Sequence, residues 1–274
     1  QVISTVNVSA GSYVYSAYIK AESGASATLE ANDQTTAATA DGNWNKVMGL
    51  VTLDAAGTVE VSVTAAGKVY IDEVALTPVN ISYNDLVLNG DFEEDQLGWA
   101  YGAFCFFELE NPYGGRGNSL GCPGGGTYVS TQTVTVEPNT WYMYYTDAKR
   151  DTAGSWTYID LDPTWYNLDS SVRLAKVGEW EHLVGFWNSG ANTSANIRIV
   201  RDTCYDNPAA PYTDDGKAYF DNVGMCAVEL GDNLLGSVSD LSGWTKDGGF
   251  ETLEKGKLTA MSLKSTYTTK DQGT

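Results

Sequence analysis

The chain has a single histidine, His182, so neither a Ser-His-Asp triad nor a multi-histidine metal centre is expected. Bases are scarce as well: 16 Lys and Arg against 35 Asp and Glu leave a net charge of −19. Nucleic acid demands clustered cations for its phosphates, so no nucleic-acid partner is expected, and the same deficit disfavours an anionic membrane surface. No apolar run approaches the ~18 residues of a membrane-spanning helix, and no membrane insertion is expected. Segments with an apolar 3.6-residue period of helical length are missing too. The sequence opens on Gln1 without a signal-peptide pattern, which predicts a processed product or an excerpt of a longer protein.

What remains is β in texture. The 274 residues are 42% hydrophobic and 12% aromatic, enough for packed cores in two domains. Val59-Glu60-Val61-Ser62-Val63 and Gln132-Thr133-Val134-Thr135-Val136 alternate with period two and favour β-branched residues. Clusters of Gly, Asn, Asp and Ser punctuate such runs at sandwich spacing. An all-β fold is expected.

The chain also repeats itself. Thr5–Tyr13 matches Thr133–Trp141 without a gap, Trp44–Gly49 matches Trp180–Gly185, and Gly67–Val74 matches Gly216–Val223. Asn233-Leu234-Leu235 before Gly243-Trp244 answers Asp85-Leu86-Val87 before Gly98-Trp99. Residues 84–230 therefore hold one whole unit, 1–78 the back of another, and 231–274 the front. Neither fragment buries a core alone. Three explanations stand: an excerpt of a longer repeat protein, closure of head and tail within one chain, or completion of one molecule by the next in a head-to-tail filament.

The middle unit carries Leu86-Val87-Leu88-Asn89-Gly90-Asp91-Phe92-Glu93, then Gly98-Trp99, Val134–Tyr142 and Ala218-Tyr219-Phe220-Asp221-Asn222-Val223. It resembles the carbohydrate-binding modules of families four, nine and twenty-two, of the galactose-binding-like jelly-roll superfamily, here in tandem. The resemblance implies two jelly-roll β-sandwich units, one contiguous and one split across the chain termini. It also implies a structural calcium where opening and closing strands meet, with Asp91, Glu93 and Asp221 at the matching positions; hard oxygen ligands suit that ion. The alternative is that Asp91 caps a turn and Asp221 faces solvent.

Sugar rings present apolar C–H faces, which flat aromatics with polar edges accommodate. Trp99, Trp141 and Trp180 have aromatic counterparts in the split unit (Trp244, Tyr13, Trp44) and read as shared core. Trp156, Tyr158, Trp165, Tyr166 and Trp187 have none and are the candidates for a carbohydrate-binding face, or else added core. Trp156-Thr157-Tyr158 alternates so as to place two rings on one sheet face.

Cys105, Cys122, Cys204 and Cys226 all fall in the middle unit, an even number that favours disulfides over zinc, since no CxxC occurs. Cys105–Cys122 and Cys204–Cys226 are the preferred pairs. With so many acids some carboxylate pair will imitate a glycosidase, but nothing singles one out, and no catalysis is expected. His182 aligns with Lys46, as an outward strand position does. The expected function is non-catalytic glycan binding or display in a cell-surface assembly, outside the cell, with polysaccharide as partner. The rival is a structural subunit of an extracellular filament or phage or surface fibre that binds copies of itself head-to-tail.

Overall fold

The computed structural model describes residues 2–38, 42–82, 84–94, 97–101, 105–108, 113–115, 117–124, 126–152, 156–162, 171–174, 176–202, 216–235, 244–246, 250–255 and 261–266. At 2, 3, 107, 108, 162 and from 244 onward it describes the backbone alone. The described elements are strands, with one 3-10 turn at Tyr113–Gly115. The chain divides into two units: residues 1–80 with 229–274, and residues 81–228.

The first unit contains β1 (Val2–Val8), β2 (Gly11–Ala21), β3 (Ser26–Ala31), β4 (Gln34–Ala37), β5 (Asn45–Leu53), β6 (Gly57–Ala66) and β7 (Lys68–Ile81). The alternation around Val59 has its expected consequence. Val59, Val61 and Val63 of β6 are fully buried while Glu60 is exposed, because successive side chains leave opposite faces of a strand. The core lies between two sheets, with Leu29 and the three valines meeting Tyr15, Ile19, Val69, Ile71 and Leu76.

The second unit contains β8 (Phe106–Glu108), β9 (Ser119–Cys122), β10 (Tyr128–Thr135), β11 (Trp141–Arg150), β12 (Trp156–Asp162), β13 (Val172–Arg173), β14 (Glu181–Asn188), β15 (Ser194–Asp202) and β16 (Ala218–Leu230). One sheet runs β10-β15-β12-β13. The other runs β14-β11-β16-β9-β8, antiparallel at each step. Ile159, Leu161, Ile197 and Ile199 meet Tyr144, Phe220, Met225 and Leu120 between them.

Three further strands follow the second unit in sequence: β17 (Trp244–Lys246), β18 (Phe250–Lys255) and β19 (Met261–Thr266). β17 pairs with β1, and β19 pairs with β7. The first unit's sheets thus run β17-β1-β6-β3-β4 and β5-β2-β7-β19-β18.

The same devices occur in both units. Asn233 Oδ1 accepts the amides of Leu76 (3.1 Å) and Leu235 (3.0 Å), while Leu234 N–H donates to Leu76 O. Asp85 Oδ1 likewise accepts the amides of Met225 (3.0 Å) and Val87 (2.9 Å), while Leu86 N–H donates to Met225 O. β2 against β7 shifts register between Ser16 and Tyr18; β11 against β16 shifts between Tyr145 and Asp147. The extra residue of each bulge is left-handed, Glu73 and Asn222 both at φ 48, with its amide donating to the preceding aspartate. The Tyr15 ring lies against Gly49 and the Tyr144 ring against Gly185, each where a Cβ would collide with it.

That last pairing corrects the gapless match. Val8 and Val136 do occupy equivalent core positions, but Tyr13 corresponds to Tyr142, not Trp141: both tyrosines are buried in their cores. One extra residue in the turn after β10 moves the frame, and a shift of one turns every side chain to the opposite face. Trp141 is half-buried and outside the core cluster.

Candidate functional site

The outer face of the β14-β11-β16 sheet gathers the polar and aromatic groups of the second unit. The bulge keeps Asp147 in register with Asp221 on one side and His182 on the other, forming a row across three strands. Two residues further along β11, Lys149 stands opposite Tyr219, and Trp180, one residue ahead of β14, completes a second row. The Trp180 and Tyr219 rings are 6.5 Å apart, and Lys149 Nζ lies 5.8 Å from the Tyr219 ring centre. Tyr113, 40% exposed, meets Trp180 edge-on at 5.5 Å. Trp180 is therefore not core. It shares the outward parity of His182, so the indole joins the face while Leu183 enters the interior.

The acids of this face are buried. Asp147 Oδ1 is 2.9 Å from His182 Nδ1, and its Oδ2 accepts from Asn222 Nδ2 at 3.0 Å. Asp221 accepts its hydrogen bonds from the amides of Asn222 and Tyr113. Burial, with Asp147 and Glu93 nearby, outweighs those bonds and pushes the Asp221 carboxyl up to about 7. The charge on Asp147, with burial and Asp221, raises the Tyr113 phenol. Beside the row, Tyr145 stacks near His182 at 5.9 Å and donates to Asp85 Oδ2 at 3.0 Å. Burial and that carboxylate hold its phenol protonated. His182 itself is an exposed strand residue, as its alignment with Lys46 predicts.

The residues proposed from sequence separate. Trp156 and Tyr158 share one face of β12, with Thr157 buried between them. That face is on the other sheet. The Arg173 guanidinium covers the Trp156 ring at 4.1 Å, and neighbouring Asp160 is locked to Arg198 by bonds of 2.7 and 2.6 Å. Burial and Asp160 push the Tyr158 phenol up to about 12. Trp187 points inward and packs against the core, 6.2 Å from Tyr142. Trp165 and Tyr166 lie outside the described residues.

Of the expected calcium ligands Asp91, Glu93 and Asp221, Glu93 lies within electrostatic reach of Asp221. Asp91 Oδ1 accepts the Glu93 amide at 3.5 Å, capping its own turn, and Glu93 accepts the Asn118 amide. Calcium takes about six to eight oxygens. Among the described residues no group of three His, Cys, Asp or Glu is placed to hold a metal by side chains alone. The Sγ atoms of Cys105 and Cys122 are 3.3 Å apart, hydrogen-bonded as thiols and not joined in a disulfide. Cys226 is buried, its thiol pushed up to about 11 by burial and Asp85, and Cys204 lies outside the described residues.

The Trp-Lys-Tyr row escaped sequence reasoning because Trp180 had been assigned to the core. A signal was present: the matched aromatics Trp44 and Trp180, and Tyr70 and Tyr219, all hold outward parity in both copies of the repeat.

No family model and no curated protein matches the chain. Solved structures do. A family 16 carbohydrate-binding module matches at 18% identity and a TM-score of 0.41, over 51% of this chain and 98% of its own. The module TmCBM61, solved in complex with β-1,4-galactotriose, matches at 12% and 0.39, over 52% and 97%. The CBM22-1 xylan-binding domain of Paenibacillus barcinonensis Xyn10C matches at 17% and 0.38, over 53% and 94%.

Proposed function

We propose that this protein is a non-catalytic glycan-binding protein of the cell exterior, and that it holds polysaccharide on the outer β14-β11-β16 face of the second unit. The observation that carries this is the juxtaposition of the Trp180–Lys149–Tyr219 row with the Asp147 and Asp221 carboxylates. The half-buried Trp180 indole, backed by the buried Tyr219 ring and edged by the exposed Tyr113 ring, offers an apolar surface for a pyranose C–H face. The exposed His182 imidazole beside it, oriented by the buried Asp147 carboxylate, exchanges hydrogen bonds with hydroxyls without needing a charged ligand.

Affinity electrophoresis through gels cast with individual polysaccharides tests this. Retardation in at least one gel is expected, lost in Trp180→Ala and kept in Trp156→Ala. Loss only in Trp156→Ala would move the site to the other sheet; no retardation in any gel would sink the proposal. The pairing of β17 with β1 and β19 with β7 favours a chain that completes its own first unit, so light scattering should return the mass of one chain. A ladder of masses would favour the head-to-tail filament.

A further inference from the structure

We propose that Cys105 and Cys122 form a redox latch that fixes Tyr113 against Trp180, so that the oxidation state of this thiol pair sets the affinity of the glycan face. The inference rests on the reading of that face given above.

The two sulfurs are already neighbours at 3.3 Å, although 17 residues apart in sequence. Cys122 ends β9 and is in register with Ala218 of β16, one residue from Tyr219, so it belongs to the sheet that carries the face. Cys105 precedes β8, which pairs with β9. The two cysteines therefore stand beside the same sheet edge, just before the start of β8 and at the end of β9. Between them in sequence, Tyr113 reaches out to the Trp180 ring and donates its amide to Asp221. Cross-linking the two ends removes conformations in which Tyr113 leaves Trp180, and pre-organised contacts cost less to form on binding.

The chemistry balances with a low-molecular-weight disulfide such as oxidised glutathione. Cys105, the less buried of the two, attacks one sulfur of that disulfide as its thiolate, giving a mixed disulfide and one released thiol. Cys122 then gives up its proton and displaces the second thiol, closing the Cys105–Cys122 bond. Two protein thiols lose two electrons and two protons, and the external disulfide takes them up. Hydrogen bonding to Cys105 and burial hold the Cys122 thiol well above the usual range, against the opposing pull of the Arg201 guanidinium. That assigns Cys122 the resolving role rather than the attacking one.

The test uses the full chain equilibrated in oxidised glutathione or in dithiothreitol. Peptide mapping should find the Cys105–Cys122 cross-link in the first only, and hydrogen exchange of segment 106–121 should slow on oxidation. Retardation in the polysaccharide gel should weaken about fivefold on reduction, as expected when one aromatic side chain must be ordered anew. Cys105→Ser should show the reduced behaviour in both buffers, whereas Cys226→Ser should still respond. Absence of the cross-link under oxidised glutathione, or a cross-link that leaves exchange in 106–121 unchanged, would overturn the latch. Slowed exchange without retardation of any form would uphold the latch and sink the glycan reading instead.

Discussion

In the second unit the Trp180–Lys149–Tyr219 row lies beside His182, Asp147 and Asp221; in the first, the corresponding Trp44–Lys20–Tyr70 row lies beside Lys46, Tyr18 and Asp72. The first of these rows is nearly superimposable in its dimensions. Trp44 and Tyr70 are 6.4 Å apart against 6.5 Å for Trp180 and Tyr219, and the lysine Nζ stands 6.0 Å from its tyrosine ring against 5.8 Å. The second row changes character. A buried aspartate bridged to histidine becomes a tyrosine with Lys46 Nζ over its ring at 5.6 Å. Lys68 adds a further cation 5.2 Å from Tyr70. The bulge, the tyrosine packed on glycine and the Asn or Asp clamp are common to both units because each is needed to close a sandwich. The row beside Trp180 is not needed for closure, and there the two faces diverge, from buried carboxylates beside a histidine to lysines over tyrosine rings.

The sharpest way to break this comparison is to exchange the aromatic anchors. Trp180→Ala should weaken polysaccharide retardation by tenfold or more, on the order of a lost aromatic contact plus its buried area. Trp44→Ala should leave retardation on the same gel unchanged; an equal loss would show that the lysine row does not discriminate. The shared framework breaks next. Gly185→Ala drives a methyl into the Tyr144 ring and should cost the second unit about 1–3 kcal/mol, and Gly49→Ala should cost the first unit a similar amount through Tyr15. Calorimetry should place the two losses in different unfolding transitions. Asn233→Ala removes the acceptor shared by Leu76 and Leu235 together with the donor to Val74 O and should lower first-unit stability by about 1–2 kcal/mol, whereas Asn233→Asp keeps the shared acceptor, loses only the donor to Val74 O and should cost less.

A pH series sharpens the acidic side. The folded Asp221 carboxyl is raised from 3.8 to about 7, so the folded second unit binds that proton more tightly than the unfolded chain does. The stabilisation is complete below about pH 4 and is lost as pH rises through about 7. Asp221→Asn should therefore flatten the fall in second-unit stability between those limits. A parallel pH profile for wild type and variant would show that this carboxyl is not raised in the folded unit.

Much of the fold was legible because it rests on parity. The valines of β6, and Val134 and Val136, read as inward from alternation alone, and the Asn233 and Asp85 segments matched by sequence make the same hydrogen bonds. What parity could not reveal was the insertion that moves Tyr142 into the place of Tyr13, since a gapless match to Trp141 scores well between aromatics. Trp180 was misassigned for a related reason: repetition of a large aromatic looks the same whether it fills a core or marks a face. Only the position of Leu183 in the interior shows which way the indole must turn. Arg173, which covers Trp156, lies on another strand and could not be paired with it before the register of β12 and β13 was known.

The clamp at Asn233 also has a consequence for synthesis. The amide of Leu76 waits for an acceptor 157 residues ahead, and the second unit lies wholly within that interval. On a ribosome the later-numbered sandwich is complete while the earlier one still lacks its outer strands. Until residues 229–274 emerge, β1 and β7 lack the pairings that β17 and β19 supply, and those edges stay uncovered through the synthesis of the whole intervening sandwich.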